Sequence, residues 1–402
     1  MLLAYFVGVI GNFTYTTALG WLVLVLTNSP GLLALATAAQ SAPMLVLSVV
    51  GGALADQVDR RRLLITAQLA GAAFTGLLAL LTMGQAVAYW QIIVLAFLAG
   101  SATALSYPSL QSILPTVVER RAIGNAIALN SVSFNVARII GPSVAGLAIA
   151  AGGLVLGFWA NSVGFLFVAW IMARLPIPGR PGGRIETSLW TNLLAGISYV
   201  RADSMIGVLV LLAGVPALLV LNLFTFLPVY ARDILEIGPQ GLGLLLSAVG
   251  IGALAGAGAY AVALPGGGSA RLMLGGLGLC GVVLAIFAVS RSLVISLVAL
   301  LIYGAAQVGF YSTVQALIQV RSAQRMRGRV MSLYLFMALG VMPIGNLLSG
   351  LVAERFGVEV ALAGGGVLTC AVVAAAWLGA PALRVLRPEH HPDPPAEETA
   401  PA

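Results

Sequence analysis

Residues 32–83 read LLALATAAQSAPMLVLSVVGGALADQVDRRRLLITAQLAGAAFTGLLALLTM. Every charge in this stretch lies between Asp56 and Arg62. Leu32–Ala55 before them and Leu63–Met83 after them carry none. A bilayer core of ~30 Å takes about 20 apolar residues as a helix, because each residue rises about 1.5 Å. The stretch therefore reads as two membrane-crossing helices joined by a short charged loop.

The same pattern recurs along the chain. Apolar runs of spanning length are Leu2–Thr27, Leu32–Ala55, Leu63–Met83, Tyr89–Ile113, Ala126–Ala150 and Leu154–Ala173 in the first half. Ile206–Tyr230, Leu242–Leu264, Leu272–Val289, Leu293–Ile318, Val330–Ala353 and Val360–Leu378 follow in the second. Charged residues are 8% of the 402, against about 25% in soluble domains, and hydrophobic residues are 60%, with a mean hydropathy of +1.03. A soluble fold has too little interior for so much apolar surface. The expectation is an all-α membrane protein of twelve transmembrane helices. Met1 leads into the first run with no basic flank, so residues 2–27 read as a retained helix rather than a cleaved signal.

Charge sets the orientation. The chain has no Lys, so all 20 basic residues are Arg. One set of alternate loops, with the C-terminal tail, holds Arg60–Arg62, Arg120, Arg121, Arg174, Arg180, Arg184, Arg201, Arg271, Arg321, Arg325, Arg327, Arg329, Arg384 and Arg387. The other set holds Arg232, Arg291 and Arg355. The positive-inside rule puts the Arg-rich face and both termini in the cytoplasm. The pI near 9.8 reflects these loops, and nucleic acid is not an expected partner.

Enzyme chemistry finds little footing. Without Lys there is no P-loop, and the only histidines, His390 and His391, lie in the tail. Cys280 and Cys370 sit singly in apolar runs, which suits packing better than a metal or redox pair. Gly250-Ile-Gly252-Ala-Leu-Ala-Gly256 lies inside a span with no preceding strand, so it reads as helix packing. No enzyme, metal or cofactor is expected.

The sequence resembles itself at an offset of 204 residues. Gly100, Ala102, Tyr107 and Gln111 recur as Gly304, Ala306, Tyr311 and Gln315, and Arg121, Gly124 and Leu129 as Arg325, Gly328 and Leu333. Ile140, Gly141, Gly146 and Leu147 recur as Ile344, Gly345, Gly350 and Leu351. The offset equals six spans, so two parallel six-helix halves are expected, 1–176 and 204–380, with a substrate site between them. Residues 177–203 form the linker. In it Leu189, Trp190, Leu193, Leu194, Ile197 and Val200 make one stripe of an amphipathic helix at the cytoplasmic interface. Residues 381–402, rich in Pro, Ala and Glu, are expected to be a disordered cytoplasmic tail.

The loop Gly52-Ala-Leu-Ala-Asp56-Gln-Val-Asp59-Arg60-Arg61-Arg62 resembles the signature loop of the major facilitator superfamily, Gly-x-Leu-Ala-Asp-Arg-x-Gly-Arg-Arg. Gly52, Leu54, Asp56, Arg60 and Arg61 match; Gln57 stands for the usual Arg and Asp59 for the usual Gly. Asn135-Val-Ala-Arg138-Ile-Ile-Gly141-Pro142-Ser-Val-Ala-Gly146 resembles the Gly-Pro motif of the antiporter branch through Gly141, Pro142 and Gly146. Asn125-Ala-Ile-Ala-Leu-Asn130-Ser and Arg327-Gly-Arg-Val-Met-Ser332-Leu are similar to the branch that exports macrolides and the siderophore enterobactin. The resemblance implies the major facilitator fold, a bacterial inner-membrane location, alternating access, and export of a hydrophobic or amphipathic small molecule by proton antiport. It also implies a gating role for Asp56, through pairing with Arg60. A monomer is expected.

Two departures leave alternatives open. The superfamily's span-four Arg is absent near Ala96, and no Asp or Glu lies near the middle of any span, Asn12 standing where related exporters often carry an acid. Uptake or facilitated passage of a neutral solute, or a non-transporting sensor, remains a second reading. Expected cavity residues are Asn12, Tyr107 and Gln111, then Ser131, Asn135 and Arg138 on one face of span five, and Tyr303, Gln307, Tyr311 and Gln315 at four-residue spacing on span ten. The alternative is packing, with the Tyr and Gln side chains bonding between helices and Arg138 bonding backbone carbonyls and Asn side chains. Reporter fusions after residue 190 and at the C-terminus should both report cytoplasm; a periplasmic signal at either place would refute the twelve-span topology.

Overall fold

The computed structural model describes residues 2–57, 59–113, 129, 133, 136–137, 140–141, 144–149, 151–175, 189–264, 268–324, 326–384 and 386. For 2, 46, 48–57, 60, 107–109, 111–113 and 189–195 it describes the backbone alone. The chain runs through α1 (Leu2–Thr27), α2 (Pro30–Gln57), α3 (Arg60–Met83), α4 (Tyr89–Ile113), α5 (Leu154–Arg174) and α6 (Leu189–Ala202). It continues through α7 (Ser204–Leu219), α8 (Asn222–Val229), α9 (Gly238–Ala263), α10 (Ala270–Val289), α11 (Leu293–Arg321), α12 (Arg327–Leu335), α13 (Met342–Phe356) and α14 (Val358–Gly379). No strand occurs among the described residues.

Ten helical stretches among these residues are long and apolar enough to cross a membrane, two of them joining α7 to α8 and α12 to α13. The expected count of twelve adds residues 30–57 and 126–150, which are only partly described. Apolar side chains such as Val262, Val289, Val294, Leu351 and Leu378 face outward, fully in keeping with a lipid surround. Apart from 126–150, whose ends lie outside the described residues, the predicted spans begin and end within a few residues of the helices, with one recurrent difference. The helices run further toward the charged rims, because backbone hydrogen bonding does not stop where hydropathy falls.

Packing repeats across the chain. α2 lies along α4 as α9 lies along α11, and α3 packs on α5 as α10 packs on α14. The repeat-related Gly100 and Gly304 occupy equivalent crossings. A Cβ on Gly100 would stand 2.0 Å from the carbonyl oxygen of Gln40, and one on Gly304 would stand 2.1 Å from that of Val249. Gly252 answers from α9, where a Cβ would meet the Leu301 carbonyl oxygen at 1.9 Å. Lipid offers no hydrophobic drive for helix association, so these crossings gain their energy from close backbone contact.

Sequence reading treated 206–230 and 330–353 as unbroken spans, and the structure interrupts both. The first breaks at Val220 and Leu221, whose N–H groups both donate to Pro216 O (2.8 and 2.7 Å), and it ends in a π-turn at Tyr230–Ile234. The second carries a π-turn at Phe336–Gly340 before Pro343 begins the next segment. Pro216, Pro228 and Pro343 each lack the amide that an unbroken helix would use. The linker helix α6 packs on α12: Gly196 lies against Arg329 and Leu333, and Tyr199 Oη accepts from Ala323 N (3.0 Å). The tail expected to be disordered from residue 381 begins with a short 3-10 turn at Pro381–Arg384, where Leu383 is buried and Arg384 donates to Trp377 O; 385 and 387–402 lie outside the described residues.

Gly304→Val should destabilise the protein by about 1–3 kcal/mol, as overpacking a close backbone contact does. Gly258→Ala, with nothing within 4 Å of the new Cβ, should be tolerated. Thermal unfolding of the purified variants in one detergent checks both.

Candidate functional site

A cavity of about 600 Å3 lies between the halves. Asn12, Thr16 and Thr17 of α1, Gln68 of α3, Thr103 and Ser106 of α4, and Gln307 and Tyr311 of α11 supply its polar wall. Phe13, Phe165, Phe224, Leu242, Leu246 and Met342 supply much of the apolar one. No Asp, Glu or Arg is among the described lining residues. The arrangement suits a large, mostly apolar guest held by a few neutral hydrogen-bonding groups.

The expected site residues distribute unevenly. Asn12, Gln307 and Tyr311 line the cavity. Tyr303 is 1% exposed and stands behind the wall, its ring edge-on to Phe224 at 6.3 Å and its hydroxyl accepting from Gln307 Nε2 at 3.2 Å. It positions the Gln307 amide instead of facing the guest. Gln315 is exposed and lies outside the lining. The reason is rotational. At about 100° per residue, positions four apart drift by about 40°, so residues 303–315 sweep through about 120° and cannot all face one cavity. The side chains of Tyr107 and Gln111, and residues Ser131, Asn135, Arg138 and Pro142, lie outside what is described.

Sequence reading missed Thr16, Thr17, Gln68, Thr103 and Ser106. Lone Thr, Ser and Gln residues in apolar helices carry no period, and only the neighbouring helices decide which of them faces a cavity. A weak signal existed in Asn12 and Thr16, spaced four apart on one face of α1.

The signature loop resolves in part. Gly52 and Asp56 lie on the last turns of α2, and the side chains of Asp56 and Arg60 are outside the described set. Asp59, the departure from the motif's Gly, caps α3 through Oδ1, which accepts from Arg61 N (2.9 Å) and Arg62 N (3.3 Å). Arg61 ties α3 to the end of α5, donating from Nε to Met172 O (3.1 Å) and from Nη2 to Ala173 O (2.6 Å). A cation at the C-terminal carbonyls of a helix is also favoured by its dipole. In the Gly-Pro motif, a Cβ on Gly141 would meet Phe13 Cβ at 2.8 Å, and one on Gly146 would meet Pro239 O at 2.8 Å. Gly146 thereby lets the first half approach α9 of the second.

The Arg-poor end is closed by contacts between the halves. A Cβ on Gly350 would stand 2.4 Å from Ala34 Cβ, and Gly20 packs on Pro228. The turn between α1 and α2 is then clamped from both sides. Asn28, at φ 51°, ends α1. Arg232 of the second half donates from Nη1 to Leu24 O (2.7 Å) and from Nη2 to Asn28 Oδ1, and pairs with Asp233. Glu354 Oε2, from α13, accepts from Ser29 Oγ (2.8 Å) and Gly31 N (2.9 Å) at the start of α2. A cation thus sits at one helix C-terminus and an anion at the next N-terminus, each matched to the dipole.

This fold, with a central cavity sealed at one end by inter-half contacts, defines a transporter of the major facilitator class. The chain belongs to the family described as transmembrane secretion effector, which matches residues 1–396. It is 30% identical over 378 residues to the multidrug efflux pump Tap of Mycobacterium tuberculosis, covering 89% of this chain and 87% of that one. It is 25% identical over 362 residues to the staphyloferrin A transporter of Staphylococcus aureus, covering 87% of each. To macrolide efflux protein A of Streptococcus pyogenes it is 26% identical over 353 residues, covering 83% of each. Among solved structures, the nucleoside transporter NupG superposes with a TM-score of 0.77 at 14% identity, over 96% of this chain and 98% of that one. The inward-open xylose transporter XylE of E. coli gives 0.70 at 13% identity, over 94% of each. At that identity the two structures speak for the fold alone.

Neutralising the clamp should loosen the Arg-poor end. With Ala34→Cys as probe, in a background lacking Cys280 and Cys370, adding Arg232→Gln and Glu354→Gln should raise labelling by impermeant thiol reagents. About tenfold is expected, equivalent to roughly 1.4 kcal/mol. Unchanged labelling would leave closure to the glycine contacts alone.

Proposed function

We propose that this protein exports hydrophobic or amphipathic small molecules from the cytoplasm of a bacterial cell. It does so across the inner membrane, as a monomer of twelve spans in two six-helix halves with both termini cytoplasmic. The observation that carries the reading is the cavity between the halves, apolar in most of its wall and closed at the Arg-poor end. Its lining descends toward the Arg-rich face through Tyr5, Val168 and Leu110. With the Arg-rich face cytoplasmic, this is the state that loads from the cell interior. Release requires the Arg232 and Glu354 contacts to part while the opposite end closes, in the manner of alternating access. Relatives named for multidrug, macrolide and siderophore traffic support a guest of drug-like size and mixed polarity.

Proton antiport is the proposed driving reaction. The described cavity wall holds no carboxylate, so the proton carrier is sought at the rims, with Asp56 of the signature loop the first choice. Uptake of a neutral solute is the second reading, favoured by the absence of charge among the described lining residues.

Purified protein in proteoliposomes of inside-out orientation should concentrate a lipophilic dye in the lumen. A lumen-acid pH gradient should speed accumulation severalfold. Accumulation with no response to the gradient would remove proton coupling, and movement only in the opposite direction would favour uptake.

A further inference from the structure

A second cavity of about 280 Å3 adjoins the first on the side of the Arg-poor face. The two share Asn12, Thr16, Thr103, Phe224, Pro228 and Met342. Their walls differ. The smaller chamber adds Thr37, Gln40 and Ser41 from α2 and Thr225 from α8, so half of its lining is neutral and polar. Thr37 and Thr225 are 9% and 4% exposed, so this polarity lies deep between the halves.

The hydroxyl hydrogens around the chamber are already committed. Thr37 Oγ1 donates to Ala34 O (3.0 Å), Ser41 Oγ to Thr37 O (2.8 Å) and Thr103 Oγ1 to Ala99 O (3.0 Å). Thr225 Oγ1 donates to Asn346 Oδ1 (3.1 Å), and Thr16 Oγ1, which accepts from Gln40 Nε2 (3.2 Å), points its own hydrogen at Asn12 Oδ1 (3.4 Å). A hydroxyl has one hydrogen and two lone pairs, so each of these groups has acceptor capacity left and no donor. The donors left among the described lining residues are the amide hydrogens of Asn12 and Gln40. By its described lining residues the chamber is therefore an acceptor-rich box without a charged group.

We infer that this chamber is a subsite for an uncharged, hydrogen-bond-donating arm, such as a hydroxylated ring, carried on the apolar body that fills the main cavity. The inference rests on the exporter reading for its biological sense and names the substrate class more narrowly. A cationic arm would lose its hydration with no carboxylate among the described lining residues to replace it, and an anionic arm would face lone pairs. A purely apolar arm would leave those lone pairs without the water they hold when the chamber is wet. Hydroxyl groups satisfy them directly. At about 30 Å3 per water, the volume admits about nine water-sized groups, enough for one ring with its substituents.

The test uses one steroid body in three forms: unsubstituted, bearing a glucosyl group, and bearing a trimethylammonium group. Equilibrium binding of radiolabelled probes to the purified protein in nanodiscs needs no transport. The glucoside should bind about tenfold tighter than either other form. Thr37→Val, Ser41→Ala and Thr225→Val should each cut that preference about threefold to tenfold, the usual range for losing one neutral hydrogen bond. Equal or weaker binding of the glucoside by the wild type would overturn the proposal, as would tightest binding of the ammonium form or a preference untouched in all three variants. The wild-type comparison stands even if a variant fails to fold. Preference for the glucoside without dye export would keep the subsite and refute the exporter reading. Dye export without that preference would do the reverse.

Discussion

Hydrocarbon cannot hydrogen-bond to a peptide group, and the architecture of this protein follows from that constraint. Each span must satisfy its own backbone, so each is a helix. Apolar side chains lose little by facing lipid, so burying them contributes little to helix association. What remains is close approach. Gly100 against the Gln40 carbonyl, Gly304 against Val249 and Gly252 against Leu301 bring backbones to distances that any side chain would forbid. The same device recurs between the halves at Gly146 and Gly350, where it must also permit separation.

Where the helical ladder fails, polar side chains take over. At the break between α7 and α8, Asn222 Nδ2 donates to Leu218 O (2.8 Å), returning one freed carbonyl to a partner. One turn later Thr225 bonds Asn346 and approaches Thr37 of the other half at 3.4 Å. The break lies beside the cavity, with Leu221 and Phe224 in the wall. An interrupted helix bends more readily than a continuous one, so the irregular backbone and the guest share one location, as in other transporters.

Among the described residues, charge is confined to the rims and is used to fasten helix ends. Arg61 serves the end of α5, and Arg321 pairs with Asp203 at 2.9 Å, where Asp203 also caps α7. These contacts act within a half. Arg232 and Glu354 act between halves. In the proposed cycle, that division separates fastenings that persist from those that are broken in each turn.

The sequence by itself determined the membrane setting, the helical class, most span limits and the internal repeat, because lipid acts on each residue locally and needs no neighbour. It also located Asn12, Gln307 and Tyr311, whose polarity stands out in apolar helices. Only the tertiary structure decided that Tyr303 backs the wall and Gln315 lies outside it, since that depends on how far α11 is rotated against α9 and α10. It alone brought Glu354 to the start of α2, 323 residues away from Gly31 in the chain, and set Thr37 within 3.4 Å of Thr225 across the halves. Such pairs carry no shared period or spacing, and their meeting is a property of helix packing, which sequence pattern does not encode.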